Sequence, residues 1–137
     1  MSQHINFEGL TLTVDNIDRS IEFYEGKLGL KVEYNASPDF ALLRIGGDDG
    51  GTIGLLSQNV SKKEGVEPSI SSQKRAVHIE FSTDNLDMLF EELKAKGVIF
   101  CIPPHDEPWE RSMTALDPDG YSVEFAQGKR GHNALKA

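Results

Sequence analysis

Apolar and polar residues alternate along two short segments of the chain, residues 10–14 and 78–82. A period of two residues is typical of a strand that buries one face, because successive side chains point to opposite sides of a sheet. Both segments are therefore predicted strands. The inward-facing apolar residues would be Leu10, Leu12, Val14, Ile79 and Phe81.

A helical period follows each predicted strand. Apolar residues recur three or four positions apart after Asn16 and again after Asn85, and Asn is a favoured N-cap residue. Such a stripe packs a helix against a sheet. The stripes consist of Ile17, Ile21, Tyr24 and Leu28 in the first helix, and of Leu86, Leu89, Phe90 and Leu93 in the second.

The two halves of the chain repeat one another. The string V-D-N-I-D at 14–18 returns as T-D-N-L-D at 83–87, and each copy continues with a helix and three short strands. These further strands are expected at about 30–35, 40–45, 52–57, 98–101, 111–116 and 121–126. Hairpin turns are predicted at Asp48-Asp49-Gly50 and at Asp117-Pro118-Asp119-Gly120, where glycine supplies a positive φ. The order is βαβββ twice, which predicts an α+β fold.

The length of 137 residues is that of one domain. Within it, module one is expected at about 7–58 and module two at about 76–127. Residues 59–75 between them are polar and rich in Ser, Lys and Glu, which is typical of a flexible linker. Residues 128–137 are predicted to form a polar tail.

Composition narrows the classes of partner. Hydrophobic residues make up 38% and charged residues 26% of the chain, a balance that predicts neither a membrane span nor wholesale disorder. The net charge of −8 repels phosphate backbones, which argues against nucleic acid and favours a cationic ligand. The single cysteine, Cys101, is expected to be a small buried residue. No signal peptide is recognised, so the predicted location is the cytoplasm.

Two longer strings resemble a known family. Residues 12–24 read L-T-V-D-N-I-D-R-S-I-E-F-Y, and residues 117–125 read D-P-D-G-Y-S-V-E-F after the motif P-W-E-R at 108–111. Both are similar to modules of the vicinal-oxygen-chelate superfamily, which includes glyoxalase I, bleomycin-resistance proteins and extradiol dioxygenases. The resemblance covers about residues 7–127 and implies two βαβββ modules that form a curved mixed sheet around a cavity. It also implies a homodimer, the usual state of members of this size.

Metalloenzymes that this chain resembles carry ligands on the first and last strands of each module. The resemblance places these ligands at His78 and Glu124 in module two, but at Gly9 and Gly54 in module one. By alternation, His78 and Glu124 point away from the helix and toward the cavity. An imidazole and a carboxylate suit a divalent metal such as Zn, Fe, Mn or Ni; alternatively, the two side chains hydrogen-bond to each other.

Glu80 shares the face of His78, two residues along the same predicted strand. It would complete a three-ligand set with His78 and Glu124, or act as a general base with a pKa raised by burial. Glu80 and Glu124 are thus the candidate catalytic residues. The alternative is structural, with Glu80 paired to an arginine such as Arg44 or Arg111.

Four further positions are candidates for the ligand pocket. Gly9 and Gly54 would enlarge the cavity, or mark a bulge or a close approach by ligand or backbone. Trp109, in a loop before the penultimate strand, would stack on a planar or cationic ligand or serve in packing. Arg111 follows it in the same motif and is included in the pocket. The His-Asp pair at 105–106 is expected at the surface.

Two functions follow from the resemblance. The first is binding or sequestering of a cationic or aromatic small molecule in a sheet-lined cavity, as in bleomycin-resistance proteins, and it needs no metal. The alternative is a divalent-metal-dependent lyase, isomerase or dioxygenase that uses His78, Glu124 and Glu80. Typical glyoxalase I activity is not expected, because Gly9 and Gly54 supply no ligand atoms.

Overall fold

A computed structural model describes residues 5–46, 50–63, 65 and 77–127. The chain divides into two compact units, Met1–Pro68 and Ser69–Ala137. Some sequence predictions lie outside the described residues. They are the polar tail at 128–137, the greater part of the linker, and Asp48 and Asp49 of the first predicted turn.

Module one begins with a strand and a helix and continues with three strands. Its elements are β1 (Gly9–Val14), α1 (Ile17–Ile21, continued as a π-helical segment over Glu22–Lys27), β2 (Lys31–Ala36), β3 (Phe40–Arg44), β4 (Thr52–Ser57) and the short helix α2 (Gln58–Lys63). The strand order is β1-β4-β3-β2, with β1 parallel to β4 and the other pairs antiparallel.

Module two repeats this arrangement. Its elements are β5 (His78–Thr83), α3 (Leu86–Ala95), β6 (Ile99–Asp106), β7 (Arg111–Leu116) and β8 (Ser122–Gln127). The strand order is β5-β8-β7-β6, again with one parallel pair, β5 with β8. The predicted α+β class and the βαβββ repeat are therefore confirmed, each module having its own mixed four-stranded sheet.

Both predicted helix N-caps are confirmed. Asn16 Oδ1 accepts a hydrogen bond from the Arg19 amide at 2.9 Å, and Asn85 Oδ1 accepts one from the Met88 amide at 3.1 Å. Each bond satisfies an amide that the first helical turn leaves without a backbone acceptor. The second hairpin turn is also as predicted, with Gly120 at a φ of 91°.

One face of each sheet is apolar and buried. In module one the buried strand residues include Leu12, Val14, Leu43, Ile53 and Leu55; in module two they include Ile79, Met113, Ala115, Val123 and Phe125. Phe81 and Phe125 stack on this face with ring centroids 5.8 Å apart. The alternation read from the sequence thus separates the core face of module two from the face that carries His78, Glu80 and Glu124.

The first residues of the predicted linker form the helix α2, which follows β4 directly and ends at Lys63. One prediction about local structure was wrong, because Cys101 is exposed rather than buried. The register between β6 and β7 shifts between Phe100 and Ile102, so Cys101 is the extra residue of a β-bulge and leaves the alternation that would have buried it.

Within the described parts of the chain, none of the helices has the length and apolar character needed to cross a membrane.

The two glycines predicted to enlarge a pocket lie instead where protein atoms approach closely. A Cβ atom on Gly9 would overlap the carbonyl oxygen of Thr52 on β4. A Cβ atom on Gly54 would lie 2.9 Å from Thr11 Oγ1 and 3.3 Å from Phe40 Cε1. The space beside both glycines is therefore filled, which argues against their enlarging a cavity. At Gly9 the neighbouring atoms include backbone, a close approach that is typical of glycine in a strand.

Because the two glycines have different kinds of neighbour, their substitution is expected to lower the free energy of unfolding by different amounts. Gly9→Ala is expected to lower the free energy of unfolding by about 2–3 kcal/mol, because a backbone carbonyl cannot move away without disturbing the β1–β4 pairing. Gly54→Ala is expected to lower the free energy of unfolding by only about 1 kcal/mol, because the Thr11 hydroxyl can rotate away from the new methyl group. Urea denaturation of both variants measures the difference, and equal losses would contradict this account.

Candidate functional site

The polar face of module two lines a cavity of about 300 Å³. His78 and Glu80 on β5 face it together with Glu124 on β8 and Ser112 and Thr114 on β7. Register explains the grouping, because Glu124 lies between Glu80 on one neighbouring strand and Thr114 on the other. The remaining lining residues are Ile102, His105, Glu107, Trp109 and Glu110.

His78 and Glu124, predicted from the two ends of the module, do meet in this cavity. His78 Nδ1 lies 3.3 Å from Glu124 Oε2. The His78 side chain is 48% exposed and that of Glu124 only 14% exposed, so the imidazole is at the open side and the carboxyl is deeper. This is the hydrogen-bonded arrangement that the sequence analysis gave as the alternative to a metal site.

The donor groups of the cavity determine whether it could hold a divalent metal. Over the described ranges, no three His, Cys, Asp or Glu side chains are grouped so that they could hold a metal ion. Catalytic Zn sites have three protein ligands and an open position. His78 and Glu124 supply two, and the glycines of module one carry no donor atoms, so this donor set does not fit a resident metal.

Glu80 lies on the cavity face but is exposed. The burial expected for Glu80 as a general base was therefore wrong. The arginines proposed as its partners contact other acids. Arg44 Nη2 lies 2.9 Å from Glu33 Oε2, and Arg111 binds Asp87.

Arg111, predicted in the ligand pocket, is not among the residues that line this cavity. It adjoins Ser112 on β7, and neighbouring strand residues face opposite sides of the sheet. Its guanidinium consequently lies toward α3, where Nε and Nη2 donate to the two carboxylate oxygens of Asp87 at 3.2 and 2.9 Å. Nη1 lies 3.3 Å from Asp106 Oδ1.

Glu110 is the site residue that the sequence analysis missed. It immediately precedes β7, lines the cavity, is 1% exposed, and forms a side-chain hydrogen bond with Glu124. Alternation could have found it, because Glu110, Ser112 and Thr114 are spaced two apart and share one face.

Glu124 has an unusual protonation equilibrium. Burial raises its pKa to about 7, with a further upward contribution from the hydrogen bond to Glu110. The charges of Glu80 and Glu110 act in the same direction, whereas the hydrogen bond from His78 lowers the pKa. Near neutral pH, the cavity therefore contains a carboxyl group that exchanges its proton readily.

His105 was expected at the surface, but its ring lines the cavity. Nδ1 lies 3.0 Å from the carbonyl oxygen of Pro103, and Nε2 lies 3.1 Å from Glu107 Oε1. The carbonyl of Pro103, followed by the Glu107 carboxylate, raises the pKa of His105, because both ring nitrogens have an acceptor when the ring is protonated. Asp106 is 72% exposed, as predicted.

Trp109 is on the loop between β6 and β7, where it lines the cavity while remaining 48% exposed. A half-exposed indole is able to stack on a planar or cationic ligand. The sequence analysis left stacking and packing open for this residue, and its placement at the cavity favours stacking.

Comparison with known proteins gives the family. The sequence profile of the Glyoxalase/Bleomycin resistance protein/Dioxygenase superfamily matches residues 3–125. The chain belongs to this superfamily. The resemblance noted in its opening and closing strings is thereby confirmed.

Relatives within the superfamily differ in what they do. A probable lactoylglutathione lyase of Vibrio cholerae is 26% identical to this superfamily member and covers 91% of this chain and 92% of its own. Metallothiol transferase FosB of Lysinibacillus sphaericus is 30% identical, over 87% of this chain and 79% of its own. The crystal structure of TnmS3, an antibiotic binding protein from Streptomyces sp. CB03234, matches with a TM-score of 0.71 at 19% identity, over 93% of this chain and 100% of that one. At this identity, the structural likeness shows the fold.

The raised pKa of Glu124 predicts a pH-dependent stability. The native state keeps the Glu124 proton up to about pH 7, whereas an ordinary glutamate loses it near 4.5. This contribution to stability is fully present below pH 4.5 and is lost as the pH rises through 7. The Glu124→Gln variant has no such proton to lose. The difference between its free energy of unfolding and that of the unsubstituted protein should therefore shift in favour of the variant by about 1–2 kcal/mol between pH 5 and pH 8.

Urea denaturation at the two pH values measures this change. Glu92→Gln is the matched control, because Glu92 is an exposed glutamate on α3 outside the cavity. A Glu124→Gln effect that is the same at pH 5 and pH 8 would contradict the assignment.

Proposed function

We propose that this protein binds an organic cation with an aromatic group in the cavity of module two and sequesters it. The observation that carries the proposal is the lining itself. Four carboxyl side chains, those of Glu80, Glu107, Glu110 and Glu124, surround one cavity with an indole at its side. A cation is the ligand that this lining would stabilise most, since carboxylates attract it and Trp109 offers a ring face.

The net charge of the whole chain also favours a cationic ligand. Its net charge of −8 produces a negative potential that raises the local concentration of cations near the cavity. Among the described residues that line the cavity, none is Lys or Arg, so the protein's permanently charged cations do not compete at this surface. His105 is hydrogen-bonded to Glu107 and reduces the local negative charge only when protonated.

Known superfamily members make a binding role reasonable. TnmS3 is described as an antibiotic binding protein, and it shares this fold. The lactoylglutathione lyase and FosB are described as enzymes, so relatives of both kinds occur. The choice between the two roles for this chain therefore depends on its own cavity, because a shared fold does not fix a function.

The alternative is a divalent-metal-dependent lyase, isomerase or dioxygenase. Its one supporting observation is the approach of His78 Nδ1 to Glu124 Oε2 at 3.3 Å, since these are two groups that bind such metals. Against it stands the incomplete donor set described above. We therefore rank the metal-dependent enzyme below the binding protein and assign no chemical step to a metal.

The proposal includes a homodimer in the cytoplasm. Family members of this size are usually dimers. Light scattering on the purified protein tests the first point by giving the mass of the particle, with 15.1 kDa for one chain as the reference.

Benzamidinium, a planar aromatic monocation, is a suitable probe of the proposed function. It should bind more tightly than benzamide, the neutral molecule of similar shape, because only the cation gains from the carboxylates. Trp109→Ala should weaken benzamidinium binding roughly tenfold through loss of the ring contact. Trp109→Phe, which keeps a ring, should recover much of that loss.

Calorimetry or ligand-observed NMR measures these affinities at pH 8, where Glu124 is ionised. Glu80→Gln should also weaken binding, whereas Glu92→Gln, the same change of charge outside the cavity, should not. Equal binding of benzamidinium and benzamide, or a Trp109→Ala variant with unchanged affinity, would refute a cation site of this kind.

Metal analysis tests the alternative. Protein purified without a histidine tag, then dialysed against Zn²⁺ or Ni²⁺ and desalted, should retain well under one metal ion per chain. His78→Ala should retain no less. Stoichiometric metal in the unsubstituted protein that disappears in His78→Ala would reverse the order of the two candidate functions.

A further inference from the structure

One row of residues crosses the whole sheet of module two on its cavity face. Glu80 on β5 pairs with Glu124 on β8. Glu124 also pairs with Thr114 on β7, which in turn pairs with Ile102 on β6. All four residues line the cavity. The row therefore changes from carboxyl groups at one edge of the sheet, through a hydroxyl group, to a branched aliphatic side chain at the other edge.

Ile102 faces the cavity because β6 is irregular. Phe100, two residues earlier, is on the core face, where its ring packs against Phe90 of α3 with centroids 4.9 Å apart. In a regular strand, residues two apart share a face, so Ile102 would follow Phe100 into the core. The extra residue at Cys101 shifts the register and turns Ile102 to the opposite face. A large apolar side chain is thereby kept 45% exposed at the cavity.

The acidic end of the row is where a cation is best stabilised. Glu80 is exposed, and the Glu124 side chain beside it is 14% exposed. The other two carboxyl groups of the lining are less available to a ligand. Glu110 is 1% exposed, and Glu107 Oε1 lies 3.1 Å from His105 Nε2.

The register also fixes the distance between the two ends of the row. Neighbouring strands are about 4.8 Å apart, so Ile102 lies about 9–10 Å from Glu124 and about 14 Å from Glu80, measured between backbones. A small cation whose charge is next to its ring cannot reach both ends. A longer ligand can place its charge between the two carboxylates and its ring over Ile102.

We propose that Ile102 determines which organic cations this cavity selects, by binding an apolar ring at β6 while the positive charge lies at Glu80 and Glu124. The preferred ligand is an arylalkylammonium ion whose charge and ring are separated by an extended spacer of about 9–10 Å. This inference rests on the proposed function and adds to it the distance between the charge and the ring of the ligand.

Three ligands of graded structure test the inference by calorimetry at pH 8. Phenylpentylammonium has a chain long enough to span the row, benzylammonium has its charge beside the ring, and phenylpentanol is the neutral analogue of the long cation. Phenylpentylammonium should bind more tightly than phenylpentanol, because only the cation gains from the carboxylates. It should also bind more tightly than benzylammonium, because only the long cation reaches Ile102.

Ile102→Ala separates the contribution of this side chain from that of chain length. It should weaken binding of phenylpentylammonium roughly fivefold and that of benzylammonium about twofold or less, because the lost apolar contact belongs to the long ligand alone. Ile99→Ala is the matched control, since Ile99 is a 69% exposed isoleucine on the same strand and does not line the cavity. It should change neither affinity.

Intermolecular NOEs locate the ligand without any substitution. In the unsubstituted protein saturated with phenylpentylammonium, the ring protons should give NOEs to the methyl groups of Ile102. The methylene group next to the nitrogen should give NOEs to Glu80 or Glu124. This measurement decides the question even where Ile102→Ala does not fold, which circular dichroism checks.

The outcomes separate this inference from the proposed function. A loss of affinity in Ile102→Ala that is confined to phenylpentylammonium, with the ring NOEs to Ile102, supports the inference. Unchanged binding by folded Ile102→Ala, equal losses for both cations, or ring NOEs elsewhere overturn it, while a preference for phenylpentylammonium over phenylpentanol keeps the cation site. If phenylpentylammonium binds no more tightly than phenylpentanol, the proposed function fails and this inference fails with it.

Discussion

Strand alternation is the constraint on which the second module depends. A helix covers one face of its four-stranded sheet, and every apolar strand residue on that face is matched by a neighbour that must face the other way. His78, Glu80 and Glu124 are exposed to the cavity because Ile79 and Val123 are needed in the core. The two-residue period of the strands therefore determines both the apolar packing on one side of the sheet and the polar cavity lining on the other.

Crowding of acids in a restricted volume then determines the electrostatics. Burial raises the pKa of Glu124, and the nearby charges of Glu80 and Glu110 act in the same direction. Contact with the imidazole of His78 lowers the pKa of Glu124 and so opposes this effect. A cavity lined by several acidic side chains favours positively charged ligands, and the proposed binding role rests on this preference.

The repeat, both N-caps and the strand positions could be predicted because they depend on local signals. Alternation, helical spacing and turn residues all act within a few positions, and the meeting of His78 with Glu124 followed from the same periods. The predictions that were wrong depended on contacts between secondary-structure elements. Arg111 turns to Asp87 on α3, and Cys101 leaves the core through a bulge set by the β6–β7 register. The burial of Glu110 required the loop after β6, whose course no periodicity describes.

The close approach at Gly9 limits how this chain could be redesigned. Any side chain placed at residue 9 would collide with the carbonyl oxygen of Thr52. A metal-binding side chain therefore cannot be introduced there by a single substitution unless β1 moves away from β4. Redesign is less restricted at the cavity of module two, where the side chains of His78, Glu80 and Trp109 are exposed.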